Sequence, residues 1–153
     1  EYSLNCCIRL LKKEHALNPE KLLIEAEQAA LKSYSPYSKF RVGAALLCDD
    51  GEIVTAANVE NRSYGLTICA ERSAIVKAIS LGKKKFRALA VSCPEADYPV
   101  SPCGACRQVI SEFTEQSFPV YFCGADREKY ISTTIGELFP FDALSEMKDG
   151  KYN

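Results

Sequence analysis

The chain has 153 residues, 47% of them hydrophobic and 25% charged, with a formal net charge of -1. That length and apolar content suit one domain around one core and exclude a disordered chain. The balanced charge lacks the basic excess of a nucleic-acid binder, and no stretch is long and apolar enough to span a membrane. Neither a nucleic acid nor a membrane is therefore expected as a partner.

Residues 1–17 read as an N-terminal appendage, followed by a single domain over residues 18–153. Within the appendage Leu4, Cys7, Ile8 and Leu11 have the spacing of a short amphipathic helix. Arg9 interrupts it and no small-residue cleavage site follows, so it matches a signal peptide poorly. The lone histidine, His15, also falls here and reads as a surface residue. Asn18-Pro19 is a helix start, with Asn as the cap and Pro at the first helical position. That helix carries Leu22, Leu23, Ala26, Ala29 and Ala30 and is predicted to end near Ser35-Pro36, because the residue before proline disfavours helix.

A strand is predicted from Phe40 to Cys48, a tight turn at Asp49-Asp50-Gly51, and a partner strand from Ile53 to Val59. Asn58 to Thr67 reads as a polar loop. Cys69 to Leu81 reads as a helix stopped by Gly82. The basic run Lys83-Lys84-Lys85 is a solvated turn. Arg87 to Cys93 is a continuous apolar strand, and Pro102 opens a helix through Val109, Ile110 and Phe113. Strands at Phe118 to Cys123 and Tyr130 to Ile135 follow, then a helical turn over Gly136 to Leu138. Strands separated by helices imply a partly parallel sheet covered on both faces, and the opening hairpin adds an antiparallel edge. The predicted fold is α/β: a three-layer α/β/α sandwich with a mixed five-stranded sheet.

Eight cysteines are present, but their placement argues against a disulfide framework. Cys48, Cys93 and Cys123 end strand-like runs and read as small buried hydrophobes, and Cys6 and Cys7 are adjacent. A reducing, cytoplasmic setting fits this usage. The remaining three, Cys69, Cys103 and Cys106, have metal-ligand spacing and sit at predicted helix starts. Free N–H groups and the positive end of the helix dipole favour anionic thiolates there. Cys106 lies one turn after Cys103, on the same face.

Three ligands leave an open position on zinc, whereas structural sites usually close with a fourth. Glu71, two residues from Cys69, is better used as a proton carrier than as that fourth ligand. Three thiolates on Zn²⁺ leave a net negative charge and a weak Lewis acid. Arg72 and Arg107, each directly after a site residue, are candidates to offset it, and Arg72 at least is expected to donate hydrogen bonds to the thiolates.

Five blocks stand in order along the chain: Tyr34-Ser35-Pro36-Tyr37-Ser38, Phe40-Arg41-Val42-Gly43-Ala44-Ala45-Leu46, Asn58-Val59-Glu60-Asn61, Ile68-Cys69-Ala70-Glu71-Arg72 and Ser101-Pro102-Cys103-Gly104-Ala105-Cys106-Arg107-Gln108. In these blocks and their order the chain resembles the small, three-cysteine, homotetrameric cytidine deaminases. The resemblance implies hydrolytic deamination of cytidine and deoxycytidine in pyrimidine salvage, with one zinc ion per subunit. It implies that Asn58 and Glu60 hold the ribose 3′-hydroxyl, that Glu71 shuttles the proton, that the Ala70 backbone meets the pyrimidine oxygen and that Phe40 packs on the nucleoside. It also implies a homotetramer with shared active sites. Asn61 to Tyr64 would then reach a neighbour's substrate, and an aromatic near the C-terminus would cross to stack on the base. Phe141 is the candidate, although the tail is shorter than the family's usual spacing.

Three other readings share some of these residues. Polynucleotide deaminases usually place His at the first ligand and need a basic, aromatic-lined groove, and neither is present. A deaminase of another pyrimidine or of a nucleoside antibiotic stands closer, but Asn58 and Glu60 favour a ribose-bearing substrate. A structural zinc module would need a fourth ligand, for which Cys93 or Cys123, both at strand ends, are the candidates.

Overall fold

The computed structural model describes residues 17–148. The helix read over Leu4 to Leu11, the appendage before residue 17 and His15 lie outside them. The first helix, α1 (Pro19–Ala30), starts as its sequence predicts: the Asn18 side chain accepts from the Lys21 N–H at 3.1 Å. It stops well short of Ser35. The Lys32 and Ser33 N–H groups bond three residues back, to Ala29 and Ala30, and turn the chain. Tyr34 then donates to the Asn58 carbonyl and accepts from the Glu60 N–H. An extended pairing with a distant loop therefore outcompetes a further turn of helix.

Five strands follow: β1 (Gly43–Cys48), β2 (Ile53–Ala57), β3 (Phe86–Ser92), β4 (Pro119–Cys123) and β5 (Ile131–Thr134). Both hairpin strands are shorter than predicted. Phe40 to Val42 lies outside β1 because the Val42 N–H is taken by the Asn58 side chain rather than by a neighbouring strand. Between the strands lie α2 (Ala70–Ser80) and α3 (Gly104–Phe113), and after β5 come two single turns, α4 (Ile135–Leu138) and α5 (Ser145–Lys148). Gly82, at φ +82°, takes the left-handed conformation that ends α2. Lys148 caps the other end of α3, its Nζ donating to the carbonyls of Ser111 and Thr114 at 2.8 and 2.7 Å.

The strand order is β2-β1-β3-β4-β5. Only β3 and β4 run parallel, joined by the α3 crossover, and every other pair is antiparallel. Strand side chains alternate between two apolar clusters. Ala45, Ala88, Ala90, Tyr121 and Cys123 meet Leu22, Leu23 and Ala26 of α1. Ala44, Leu46, Leu89, Val91, Val120 and Phe122 meet Ala74, Ile75 and Ala78 of α2 and Ile110 of α3. One helix on one face and two on the other make the three-layer α/β/α sandwich with a mixed five-stranded sheet.

The α1 face is built of small residues, and the helix lies against the sheet backbone. A Cβ on Gly43 would fall 1.9 Å from the Ala26 carbonyl oxygen and 2.4 Å from the Ala30 nitrogen. Both obstacles are backbone and cannot swing aside. Gly43→Ala is expected to cost about 3 kcal/mol by overpacking and to lower Tm by about 6–12 °C. Calorimetry tests this, and a Tm within about 2 °C of wild type would mean that α1 can lift freely off the sheet.

β3 ends, β1 begins and β2 ends at one edge of the sheet, where Gly43 pairs with both Ser92 and Ala57. The functional side chains gather beyond that edge.

Candidate active site

Cys69 and Cys103 are the N-caps of α2 and α3, both in extended conformation and neither using its side chain to cap. Their carbonyls start the helical ladders, accepting from the N–H groups of Ser73 at 3.0 Å and Arg107 at 2.9 Å. The Cys69 and Cys103 sulfurs lie 3.9 Å apart, those of Cys103 and Cys106 3.5 Å apart, and all three fall within 4.8 Å of one another. Zinc–sulfur bonds of about 2.3 Å at tetrahedral angles put sulfurs about 3.8 Å apart, and the observed separations bracket that value. The donor set fits zinc.

Among the described residues this is the one group of three metal-ligating side chains, and neither Cys93 nor Cys123 joins it. Cys123 instead faces the Ser92 hydroxyl at 3.5 Å. The fourth cysteine that a closed structural site would want is not among the clustered ligands.

Glu71 sits in the first turn of α2, two residues from Cys69, and is only 4% exposed. Burial pushes its carboxyl up to about 7. The Cys69 thiol is drawn down to about 5, first by a hydrogen bond with Cys106 and then by Arg72. That shared hydrogen bond and burial push the Cys106 thiol well up.

The two arginines behave differently. Arg72 Nη2 donates to Cys69 Sγ at 3.5 Å and to the Thr67 carbonyl at 3.3 Å. Arg107 donates to no thiolate. Its guanidinium holds the Pro102 and Leu138 carbonyls, each at 2.8 Å, and the Ser101 hydroxyl at 3.4 Å. The second candidate for offsetting thiolate charge is therefore a brace between the start of α3 and the end of α4. Its long side chain reaches backbone carbonyls that carry no signal in the sequence.

A cavity of about 530 Å³ opens beside the thiols. Phe40, Asn58, Glu60, Ala70 and Glu71 line it with Cys69 and Cys103. Asn58 is 8% exposed and nearly spent: Oδ1 accepts from the Ser33 hydroxyl and the Val42 N–H, and Nδ2 donates to the Phe40 carbonyl at 2.9 Å. One Nδ2 hydrogen remains for a ligand. Glu60 accepts from the N–H groups of Tyr37 and Ser38 at 2.9 and 3.3 Å and from the Ser38 hydroxyl.

Asn61, Tyr64 and Phe141 do not line this cavity. Asn61 closes its own loop, accepting from the Ser63 N–H at 2.9 Å. Tyr64 packs against Tyr37, with ring centroids 5.9 Å apart, and Phe141 is 91% exposed. Conversely Ser38, Val42, Thr67, Val91, Val100 and Ser101 line the cavity without having been singled out. Ser38, Val42 and Ser101 fall inside the family-like blocks, a signal that could have found them. Val91 and Val100 read only as strand and loop hydrophobics.

Over residues 17–122 the chain matches the family model described as the cytidine and deoxycytidylate deaminase zinc-binding region. It is 50% identical over 124 residues to a cytidine deaminase of Sporosarcina psychrophila, covering 81% of this chain and 90% of that one. A cytidine deaminase of Halalkalibacterium halodurans is 43% identical over 136 residues, covering 89% and 95%. Among solved structures, cytidine deaminase from Burkholderia pseudomallei aligns with a TM-score of 0.77 at 40% identity, covering 81% of this chain and 98% of that one.

Proposed function

Because the chain belongs to the cytidine and deoxycytidylate deaminase family, we propose that its function is the hydrolytic deamination of cytidine and deoxycytidine to uridine and deoxyuridine, in pyrimidine salvage. The observation that carries this is the convergence of three thiols from two helix starts on one point beside a buried carboxylate at the cavity wall. Cys69, Cys103 and Cys106 hold one zinc ion per subunit. Zinc, when bound there, supplies the Lewis acidity that makes water nucleophilic near neutral pH.

The chain's own residues do the rest. Glu71 takes a proton from the attacking water and delivers it to the ring nitrogen, then carries the remaining hydroxyl proton to the leaving amine. The water oxygen bonds to C4, the carbon–amine bond breaks, and ammonia leaves. The Ala70 backbone meets the pyrimidine oxygen, Phe40 packs on the nucleoside, and Glu60 with the free Asn58 hydrogen takes the sugar 3′-hydroxyl. Arg72 lowers electron donation by Cys69 through its hydrogen bond.

The substrate is a small molecule, and no helix among the described residues is long and apolar enough to cross a membrane. A homotetramer in the cytoplasm is the setting we assign. Asn61, Tyr64 and Phe141 are exposed and stand outside their own chain's cavity, which supports a role in a neighbour's. Light scattering should give four chains per particle, and Phe141→Ala should raise KM about tenfold if its ring stacks on a neighbour's base. Unchanged KM in a tetramer would remove Phe141 from the site.

The direct test follows the ultraviolet absorbance of cytidine and deoxycytidine with zinc-loaded protein. The bands should shift to those of the uridine forms as ammonia appears. No change in either nucleoside at full zinc occupancy would overturn the reading.

A further inference from the structure

The bend from Tyr37 to Phe40 carries Phe40 into the cavity, and it also holds Glu60. We propose that Ser38 is a positioning residue that aims Glu60 at the sugar and thereby sets discrimination for nucleosides bearing the 3′-hydroxyl. This role depends on Glu60 being the sugar's acceptor, as assigned above.

Glu60 stands past the end of β2, in no helix or strand, so nothing regular orients its side chain. One dipeptide does so instead. The N–H groups of Tyr37 and Ser38 both donate to Oε2, at 2.9 and 3.3 Å, and the Ser38 hydroxyl donates to Oε1. Ser38 Oγ also accepts the Phe40 N–H at 3.0 Å, which directs its single hydrogen to Glu60. Lys39, between them, has φ +62°, a left-handed conformation uncommon for a residue other than glycine. That bend brings the Phe40 N–H back onto Ser38. The Glu60 backbone is tied as well, its N–H donating to the Tyr34 carbonyl at 2.7 Å.

A carboxylate offers about four lone-pair sites. Two on Oε2 and one on Oε1 are filled by protein donors, which leaves one site on Oε1, the oxygen that Ser38 holds. These hydrogen bonds, that of the Ser38 hydroxyl foremost, also keep the carboxyl below its usual range. Glu60 is then an ionised acceptor with one vacancy in the cavity wall, which a hydrogen-bond donor such as the sugar hydroxyl can fill. A sugar without that hydroxyl gains nothing from the alignment.

The experiment compares deoxycytidine with 2′,3′-dideoxycytidine, as substrates or competing ligands, on wild type, Ser38→Ala, Ser38→Thr and Glu60→Gln. Ser38→Ala should raise KM for deoxycytidine about tenfold, within the range for hydrogen bonds to charged groups, while kcat changes less than about threefold. The penalty on dideoxycytidine should shrink below about twofold, and Ser38→Thr should recover most of the loss. Zinc content and Tm are measured alongside, since Ser38 is exposed and its variants are expected to fold. Equal penalties on both nucleosides, a loss in kcat alone, or no penalty would overturn the role of Ser38. Glu60→Gln separates the two layers. If it penalises both nucleosides equally, Glu60 does not read the sugar; if its penalty needs the hydroxyl and that of Ser38→Ala does not, only the Ser38 assignment falls.

Discussion

Glu71→Gln is expected to lower kcat on cytidine at least about a thousandfold while zinc stays bound. A positioned general acid–base group is commonly worth about 10²–10⁴ in rate, and here one side chain serves both the attacking water and the departing amine. The amide matches the carboxyl in size and burial, so the cavity keeps its shape. It cannot accept a proton and release it. Glu71 is 4% exposed, so bulk water has little access to take over the transfer. Initial rates with zinc quantified in the same samples give the test. A kcat within tenfold of wild type would show that Glu71 is only a buried acid at a helix start.

Cys106→Ala is expected to bring zinc below about a tenth of an ion per chain, with turnover lost alongside. Cys106 is fully buried, so its replacement removes one of three ligands and leaves a void that no solvent-exposed group can fill. Ligand binding to the folded state alone adds stability of about 2.7–4.1 kcal/mol at 100–1,000 times Kd. Loss of zinc should therefore lower Tm by about 5–15 °C, at about 2–4 °C per kcal/mol for a chain of this size. Cys48→Ala is the matched control: Cys48 is 1% exposed, but it lies on β1 in the apolar cluster, away from the ligands. It should keep a full complement of zinc. A Cys106→Ala protein that retains one zinc per chain would remove Cys106 from the ligand set.

Local chemistry made much of this legible. Asn18-Pro19 begins α1, Gly82 ends α2, and the strand patterns on either side mark a mixed sheet, because caps and alternation act over a few residues. The pairing of cysteines with helix starts was equally readable, since N-caps are local. The end of α1 and the start of β1 were not. Tyr34 and Val42 surrender their backbone groups to Asn58, a residue far along the chain. Propensity near Ser35 cannot anticipate a partner brought in by folding.

The sequence alone determined which chemistry is present: three thiols, one carboxylate beside them, and blocks whose order matches a deaminase family. Tertiary structure decided how each group is spent. It brought the Cys69 sulfur to 3.9 Å from that of Cys103, although the two belong to different helices. It turned Arg72 onto Cys69 and Arg107 onto the Leu138 carbonyl, although both follow site residues in the same way. It left Asn58 with one free hydrogen and Glu60 with one free lone pair. Residue type sets how many hydrogen bonds a side chain can make, whereas the packing of distant segments settles which are already taken and therefore what remains for a substrate.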